Sequence, residues 1–339
     1  TPMLNEFGKL IGDFTIANAT GRRGEDRFMI WGSSAAQKYH MRWFERHLPK
    51  DGSVRIHRFD QTLVGLAIAG PNSQKLLQKL VDEDVSSNAF RFMDFREMAV
   101  AGAPCMVNRI SYTGDLGYEI WMQPAYQRLV YAAIKEAGAE FGIVDFGMRA
   151  LLSMRLEKNF PTWFRELRPI YGPFEGSMDR FIKLEKNDFV GREAAAKEKA
   201  EGPKLRRVSL VVDAQDADVM GDEPIWAKVD RDYGTVEKPH GYGAPRFDAT
   251  GKETRGSTAA TGASAVRGIV DGEWRVVGWV TSGGFAHHVG KSMAQGYVPA
   301  TLADDESEGL FEIEILGQRR KARINVEPLF DPAGEKMRN

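Results

Sequence analysis

Glu119 is the side chain whose setting says most about chemistry. It stands in the run Arg109-Ile110-Ser111-Tyr112-Thr113-Gly114-Asp115-Leu116-Gly117-Tyr118-Glu119-Ile120. Two β-prone runs, Val107 to Ser111 and Tyr118 to Met122, flank a Thr-Gly-Asp-Leu-Gly turn whose glycines permit backbone angles that other residues resist. The pattern predicts a strand–loop–strand unit. Period-two alternation then sets Glu119 on the face opposite Tyr118 and Ile120. A carboxylate among apolar strand residues needs donors, because burying an unpaired charge is costly. Spacing leaves two readings: a solvated glutamate on an edge strand, which spacing alone favours, and an acceptor for a flat, nitrogen-rich ligand.

Other candidates have plain readings beside them. Asp13 follows Gly12 at the start of a strand and by composition reads as a turn aspartate. Arg149 reads as a solvated helix arginine. Tyr112 reads as a core tyrosine or as a ring beside a ligand. Cys105, the lone cysteine, excludes an internal disulfide framework, and its apolar run makes it a buried, inert thiol. His287-His288 reads as a solvated pair, and no Cys/His spacing suits zinc.

The elements that must position these residues follow from the chain in order. A β-hairpin is expected from Met3–Leu4 and Ile11–Ala17 about a turn at Gly8, then a polar turn from Gly21 to Asp26 and a strand over Arg27–Trp31. Ser33-Ser34 offers an N-cap to a helix over Ala35–His47. Strands are expected at Val54–Phe59, Leu63–Ala69, Phe95–Val100 and Pro104–Ile110. Helices are expected at Ser73–Val81, Ala125–Phe141, Met148–Lys158 and Gly191–Ala200. Phe160 to Gly176, rich in Pro, Arg and aromatics, reads as an ordered loop. From Leu205 onward β-prone runs dominate: Arg207–Val212, Trp274–Thr281, Met293–Val298, Phe311–Ile315 and Gln318–Ile324. The organisation expected is α+β, antiparallel sheets flanked by helices over residues 1–202, then a smaller all-β barrel or sandwich over 203–339 with a long insertion around 213–270, which the resemblance given below makes a small C-terminal β-barrel. The Gly-Ser-Thr-Ala stretch Gly256–Ser264 within that insertion reads as mobile loops.

The chain has 339 residues and a net charge of −1, so there is no electrostatic case for a nucleic-acid or anionic-membrane partner. No apolar run reaches transmembrane length and no signal-peptide pattern is seen, so a cytoplasmic location is expected, or the mitochondrial matrix in a eukaryote. The first residue is Thr1 and the chain enters on a hairpin, so a piece of a longer polypeptide is expected.

The 109–120 run resembles the R-x-x-Y-T-G-E-x-G-[FY]-E-I signature of the aminomethyltransferase (glycine-cleavage T-protein) family. Four further blocks fall in the same order. Met3 to Asp13 is similar to the L-N-x-x-G-x-x-x-D-D hairpin. Gly147-Met148-Arg149 with Arg155-Leu156-Glu157 resembles G-x-R-x-x-x-x-x-R-L-E. Asp188-Phe189-Val190-Gly191-Arg192-Glu193 resembles D-F-I-G-R-E, and Gly278 to Phe285 with Gly290-Lys291 matches the late V-T-S-G block. The hairpin, the Gly-Asp pair and the Tyr39–Trp43 helix most resemble the C-terminal half of the dimethylglycine and sarcosine dehydrogenases. The sequence departs from the family at Gly12, where the first acid of an Asp-Asp pair is expected, and at Phe164, where glycine is usual.

The resemblance implies a tetrahydrofolate site. It implies that Glu119 accepts hydrogen bonds from the pterin amino-pyrimidinone edge, that Arg149 belongs to the folate site, that Tyr112 packs beside the ligand, and that Asp13 steers protons as a one-carbon unit is captured. It also implies partners: a small N-methylated amine, and FAD in an upstream flavin domain or subunit, since no Gly-x-Gly-x-x-Gly unit opens this chain. Two other readings stand beside this one: a free-standing aminomethyltransferase or methyltransferase for another methylated metabolite, and a folate-fold binding module without catalysis.

Overall fold

Two packing units divide the chain: residues Thr1–Phe14 with Asn159–Leu329, and residues Thr15–Lys158 with Phe330–Asn339. The computed structural model describes residues 1–20, 26–228, 246–247, 253–254 and 270–338. The expected Gly21–Asp26 turn and the Gly256–Ser264 stretch lie mostly or wholly outside the described residues.

The opening hairpin pairs β1 (Pro2–Leu4) with β2 (Leu10–Asp13). Asn5 organises its turn, the Oδ1 accepting the backbone N–H groups of Phe7 and Lys9 at 3.0 and 2.9 Å. The strand expected from Ile11 to Ala17 is two strands instead. β2 ends at Asp13, and β3 (Thr15–Asn18) pairs with β4 (Phe28–Trp31) in the other unit. Phe14 marks the break, and its ring lies over Gly12: a Cβ built on Gly12 would sit 2.5 Å from Phe14 Cε2. A side chain at 12 requires that ring to move.

In the unit built on 15–158, β5 (Val64–Ala69), β6 (Phe95–Val100), β7 (Ala103–Asn108) and β8 (Gly117–Met122) form an antiparallel sheet ordered β5–β8–β7–β6. One face is apolar. Ile68, Met98, Val107, Tyr118, Ile120 and Met122 bury against Leu76 and Leu77 of helix α2 (Ser73–Gln78) and Val130 and Ile134 of α3 (Gln127–Gly138). At about 25 cal/mol per Å², this burial is the main force holding helices to sheet. Cys105 is buried in this core, and burial pushes its thiol up, consistent with an inert group.

The helix expected from Ala35 is α1 (Gln37–His47) after a 3₁₀ turn at Ser34–Ala36, and Ser33 makes no side-chain cap. Helix α2 is shorter than the expected Ser73–Val81. The strand expected at Val54–Phe59 does not form: the segment has no ladder partner, and Val54 and Ile56 stay largely exposed. Helix α4 spans Met148–Glu157. Arg109, wholly buried, donates to Phe90 O, to Ser87 Oγ at 3.1 Å and to Arg338 O at 2.9 Å, tying the C-terminal turn to the sheet. A buried Lys158–Asp331 ion pair at 2.9 Å does the same.

The other unit holds a closed barrel. Its strands are Leu205–Val212, Pro224–Lys228, Trp274–Ala286, Lys291–Pro299, Phe311–Ile315 and Gln318–Ile324. They run in the order 224–228, 311–315, 318–324, 205–212, 291–299, 274–286, and the last pairs back onto the first. Closure removes both edges. Val208, Leu210, Val280, Val298, Phe311 and Ile313 fill the interior. The Pro224–Lys228 stave falls in the stretch read as insertion and was not anticipated. Helix α5 (Arg192–Glu201) precedes the barrel.

Candidate ligand-binding site

The strand–loop–strand unit around Glu119 forms as its composition demands. Gly114 takes φ +84°, and a Cβ on Gly117 would sit 2.8 Å from Ile68 O. Ser111 and Thr113 join hydroxyls at 2.7 Å, and the backbone N–H of Asp115 reaches Thr113 Oγ1 at 3.3 Å. This fixes where β8 leaves the turn and hence its register. Tyr118, Ile120 and Met122 enter the core, so Glu119 and Trp121 face the other way. β8 is paired on both sides, with β5 and β7, so the edge-strand reading of Glu119 does not hold.

Across the sheet Glu119 stands directly opposite Asn108 on β7 and Ala67 on β5. Trp121 stands opposite Gly65 and leans over it, its ring carbons 2.9 Å from where a Cβ would be. Gly65 and Ala67 are small and exposed, which leaves space above β5 beside the carboxylate. Trp31 of β4 approaches the same face, its ring centroid 6.2 Å from Trp121 and 5.8 Å from Phe95. Burial pushes the Glu119 carboxyl above its usual range, opposed by the nearby Trp121 indole and Asn108 amide. The Trp121 indole and the Asn108 amide are its side-chain donors, and both nitrogens are buried. A half-buried acid with two donors of the protein's own and a set of rings around it suits a flat heterocycle that brings further N–H groups.

The other expected site residues lie as follows. Tyr112 is half-buried in the same unit as Glu119. Arg149, also in that unit, is exposed in the first turn of α4 and holds no hydrogen bond or ion pair among the described residues. Asp13 ends β2 in the other unit, 3.7 Å from the Thr1 main-chain nitrogen. Burial raises its pKa, partly offset by the Phe14 backbone N–H. His287 is exposed with its ring 5.1 Å from Phe285, so the solvated reading holds for it. Phe164 takes φ +70°, the left-handed region that favours the glycine expected there. With Arg165, Arg168, Asp222 and Trp279 it lines a cleft of about 230 Å³. Among the described residues no group of His, Cys, Asp and Glu could hold a metal ion. No helix among them is long and apolar enough to cross a membrane.

Sequence reasoning missed Asn108, Trp121 and Trp31. Trp121 was within reach, since it is two residues from Glu119 on one strand. Asn108 needed the β7–β8 register, which the turn length alone does not supply.

A helix-backed antiparallel sheet in one unit, with a closed six-stranded barrel in the other, is a fold shared with a solved aminomethyltransferase. The solved aminomethyltransferase T of the Bartonella henselae glycine cleavage system matches with a TM-score of 0.71 at 20% identity, covering 98% of this chain and 75% of that one. The GCVT N-terminal domain model matches residues 1–186 and the glycine cleavage T-protein C-terminal barrel domain model matches residues 252–331; the chain belongs to this family.

Among curated relatives, mitochondrial dimethylglycine dehydrogenase of Mus musculus is 31% identical over 99% of this chain and 33% of that protein. Mitochondrial sarcosine dehydrogenase of Mus musculus is 27% identical over 100% of this chain and 34% of that protein. An aminomethyltransferase of Thermoanaerobacter sp. (strain X514) is 35% identical over 62% of this chain and 55% of that protein. The chain thus spans about a third of the length of the dehydrogenases it matches.

Proposed function

We propose that this chain is the tetrahydrofolate-dependent, one-carbon-transferring part of an enzyme that demethylates a small N-methylated amine such as dimethylglycine or sarcosine, yielding methylene-tetrahydrofolate. The observation that carries the reading is Glu119: a half-buried acid on the open sheet face, set among donors and rings. The relatives' names support the substrate class. In this reading FAD belongs to a flavin domain or subunit outside these residues, and the mitochondrial matrix is the location if the source is eukaryotic.

Tetrahydrofolate, when bound, supplies the amine nitrogens that take up a one-carbon unit. The protein's part is to hold and orient it. Ionised Glu119 accepts adjacent N–H donors of the pyrimidine edge, a charge-assisted and geometrically selective contact. Tyr112 packs beside the ring system. Arg149, an exposed cation, meets carboxylates of the folate tail. Asp13 manages the proton at the reacting nitrogen. Its raised pKa lets it keep a proton closer to neutrality than an exposed aspartate would, which suits a general acid–base.

Calorimetric titration of the chain with tetrahydrofolate tests the reading: saturable binding that Glu119→Gln weakens by ~30-fold or more is expected, and no binding at any accessible concentration would overturn it. A free-standing aminomethyltransferase is the second reading, favoured by the bacterial relative at 35% identity. Production of methylene-tetrahydrofolate only in the presence of a flavin-dependent amine oxidation separates the first from the second.

A further inference from the structure

The cleft beside Phe164 is built entirely from the barrel-bearing unit, and tetrahydrofolate binding as proposed does not use it. Its floor is the barrel strand Trp274–Ala286 at Trp279, Val280 and Thr281, where the register against Lys291–Pro299 slips between Val280 and Ser282. Irregularities of this kind re-aim side chains and are over-represented beside sites. One wall is the 164–168 loop and the other is the turn at Gly221 and Asp222. Arg165 is exposed, and its guanidinium makes no hydrogen bond or ion pair among the described residues. Its Nη1 lies 3.4 Å from where a Cβ on Gly221 would be, so its head rests on the glycine next to exposed Asp222. A cation and an acid thus face one cleft without closing on each other. Arg168, half-buried on the same wall, adds a second cation. Phe164 keeps a strained φ of +70° where the family usually has glycine, and it stays 40% exposed. Strain of this sort clusters at ligand sites. The space of about 230 Å³ equals about seven waters at ~30 Å³ each, enough for a small amino acid and too little for tetrahydrofolate.

We infer that this cleft is a docking site for the N-methylated amino acid, its carboxylate on Arg165 and its methylated ammonium between Asp222 and the Phe164 ring. A guanidinium binds a carboxylate through two parallel N–H donors, and the Arg165 fork is open. A methylated ammonium is attracted both by a carboxylate and by an aromatic face. With two cations against one acid, the ligand's carboxylate is the stronger anchor. The inference rests on the proposed function for the ligand's identity and deepens it: the one-carbon-transferring part binds the amine on its own residues, not only on a flavin domain or subunit.

Ligand-observed NMR titration of the chain with dimethylglycine tests the cleft, beside two probes that each lack one end. Isovalerate keeps the shape and the carboxylate but has carbon in place of nitrogen. Dimethylethanolamine keeps the methylated ammonium but has no carboxylate. Dimethylglycine is expected to bind saturably, ~5-fold or more tighter than isovalerate and ~10-fold or more tighter than dimethylethanolamine. Arg165→Gln should weaken dimethylglycine and isovalerate by ~10-fold each, whereas Asp222→Asn should weaken dimethylglycine by ~5-fold and leave isovalerate unchanged. Phe164→Gly relieves the backbone strain, so it remains informative if another variant does not fold, and it should weaken dimethylglycine by ~3-fold. No saturable binding to wild type, equal affinity for dimethylglycine and isovalerate, or binding undiminished by Arg165→Gln overturns the inference. Tetrahydrofolate titrated on the same samples separates the two proposals. Binding of tetrahydrofolate without dimethylglycine removes the cleft alone; binding of dimethylglycine without tetrahydrofolate removes the proposed function and leaves an amino-acid cleft.

Discussion

Two acids, one in each packing unit, differ in one respect. Glu166 is wholly buried and satisfied: Oε1 accepts the hydroxyls of Thr281 at 2.7 Å and Ser282 at 2.5 Å, and Oε2 accepts the Thr162 backbone N–H at 2.8 Å. Glu119 is less buried, and its side-chain donors are Trp121 and Asn108 on its own sheet face. The first acid closes a network and so holds the 162–167 loop against the barrel strand Trp274–Ala286. The second stands beside the small, exposed Gly65 and Ala67 of β5, which leave room for a further donor. Burial alone does not separate structural from functional acids; the room left beside them does.

The sharpest way to break this comparison is to remove each acid. Glu166→Ala should destabilise its unit by ~2–4 kcal/mol, because the Ser282 hydroxyl and the Thr162 backbone N–H lose this buried acceptor, while the Thr281 hydroxyl keeps Gln295 O at 3.1 Å. Glu119→Gln should change unfolding free energy by less than ~0.5 kcal/mol while lowering tetrahydrofolate affinity by ~30-fold or more, since a charge-assisted contact is lost. Denaturant unfolding and calorimetry on the two variants measure both. Equal destabilisation by the two changes would erase the distinction.

A pH series sharpens it further. Burial raises the pKa of Glu119, so on acidification its carboxylate is lost earlier than an exposed glutamate's. Tetrahydrofolate affinity should therefore fall as pH drops from 7 toward the ordinary glutamate pKa of about 4.3, more steeply in wild type than in Glu119→Gln.

A third acid gives a stability counterpart. Glu198 of α5 accepts the backbone N–H groups of Phe174 and Glu175 at 3.1 and 2.9 Å. Burial, with Glu175 nearby, pushes its pKa to about 7. The folded state then binds the proton more tightly than the unfolded one, so stability falls as pH rises from the ordinary glutamate value of 4.5 to about 7. Glu198→Gln should flatten that fall and raise the midpoint at pH 8 by ~2–4 °C, with little change at pH 5, in thermal melts. The smallest effect is expected at Phe164, whose φ of +70° is strained. Phe164→Gly should stabilise by up to ~1 kcal/mol, offset by lost contact with Trp163, in the same melts.

Much of this is legible in the amino-acid sequence. The turn at Gly114 and Gly117, the alternation that turned Glu119 away from Tyr118, and the two-part order of helix-backed sheet then barrel all followed from local rules. What failed was set by distant partners. Ile11–Ala17 reads as one strand, but two ladders in two units compete for it and Phe14 divides them. Val54–Phe59 alternates like a strand, but no neighbour offers it an edge. Pro224–Lys228 is a short run inside polar sequence and becomes a stave only because the barrel must close. Asn108 shows its role only through its place in the β7–β8 register. The acid itself could be read, but the donors around it could not.

The most direct test of the account is calorimetric titration of wild type and Glu119→Gln with tetrahydrofolate, alongside a thermal melt of each. The account predicts saturable binding by wild type, loss of at least ~30-fold in the variant, and superimposable melts. Undiminished binding by Glu119→Gln would contradict it.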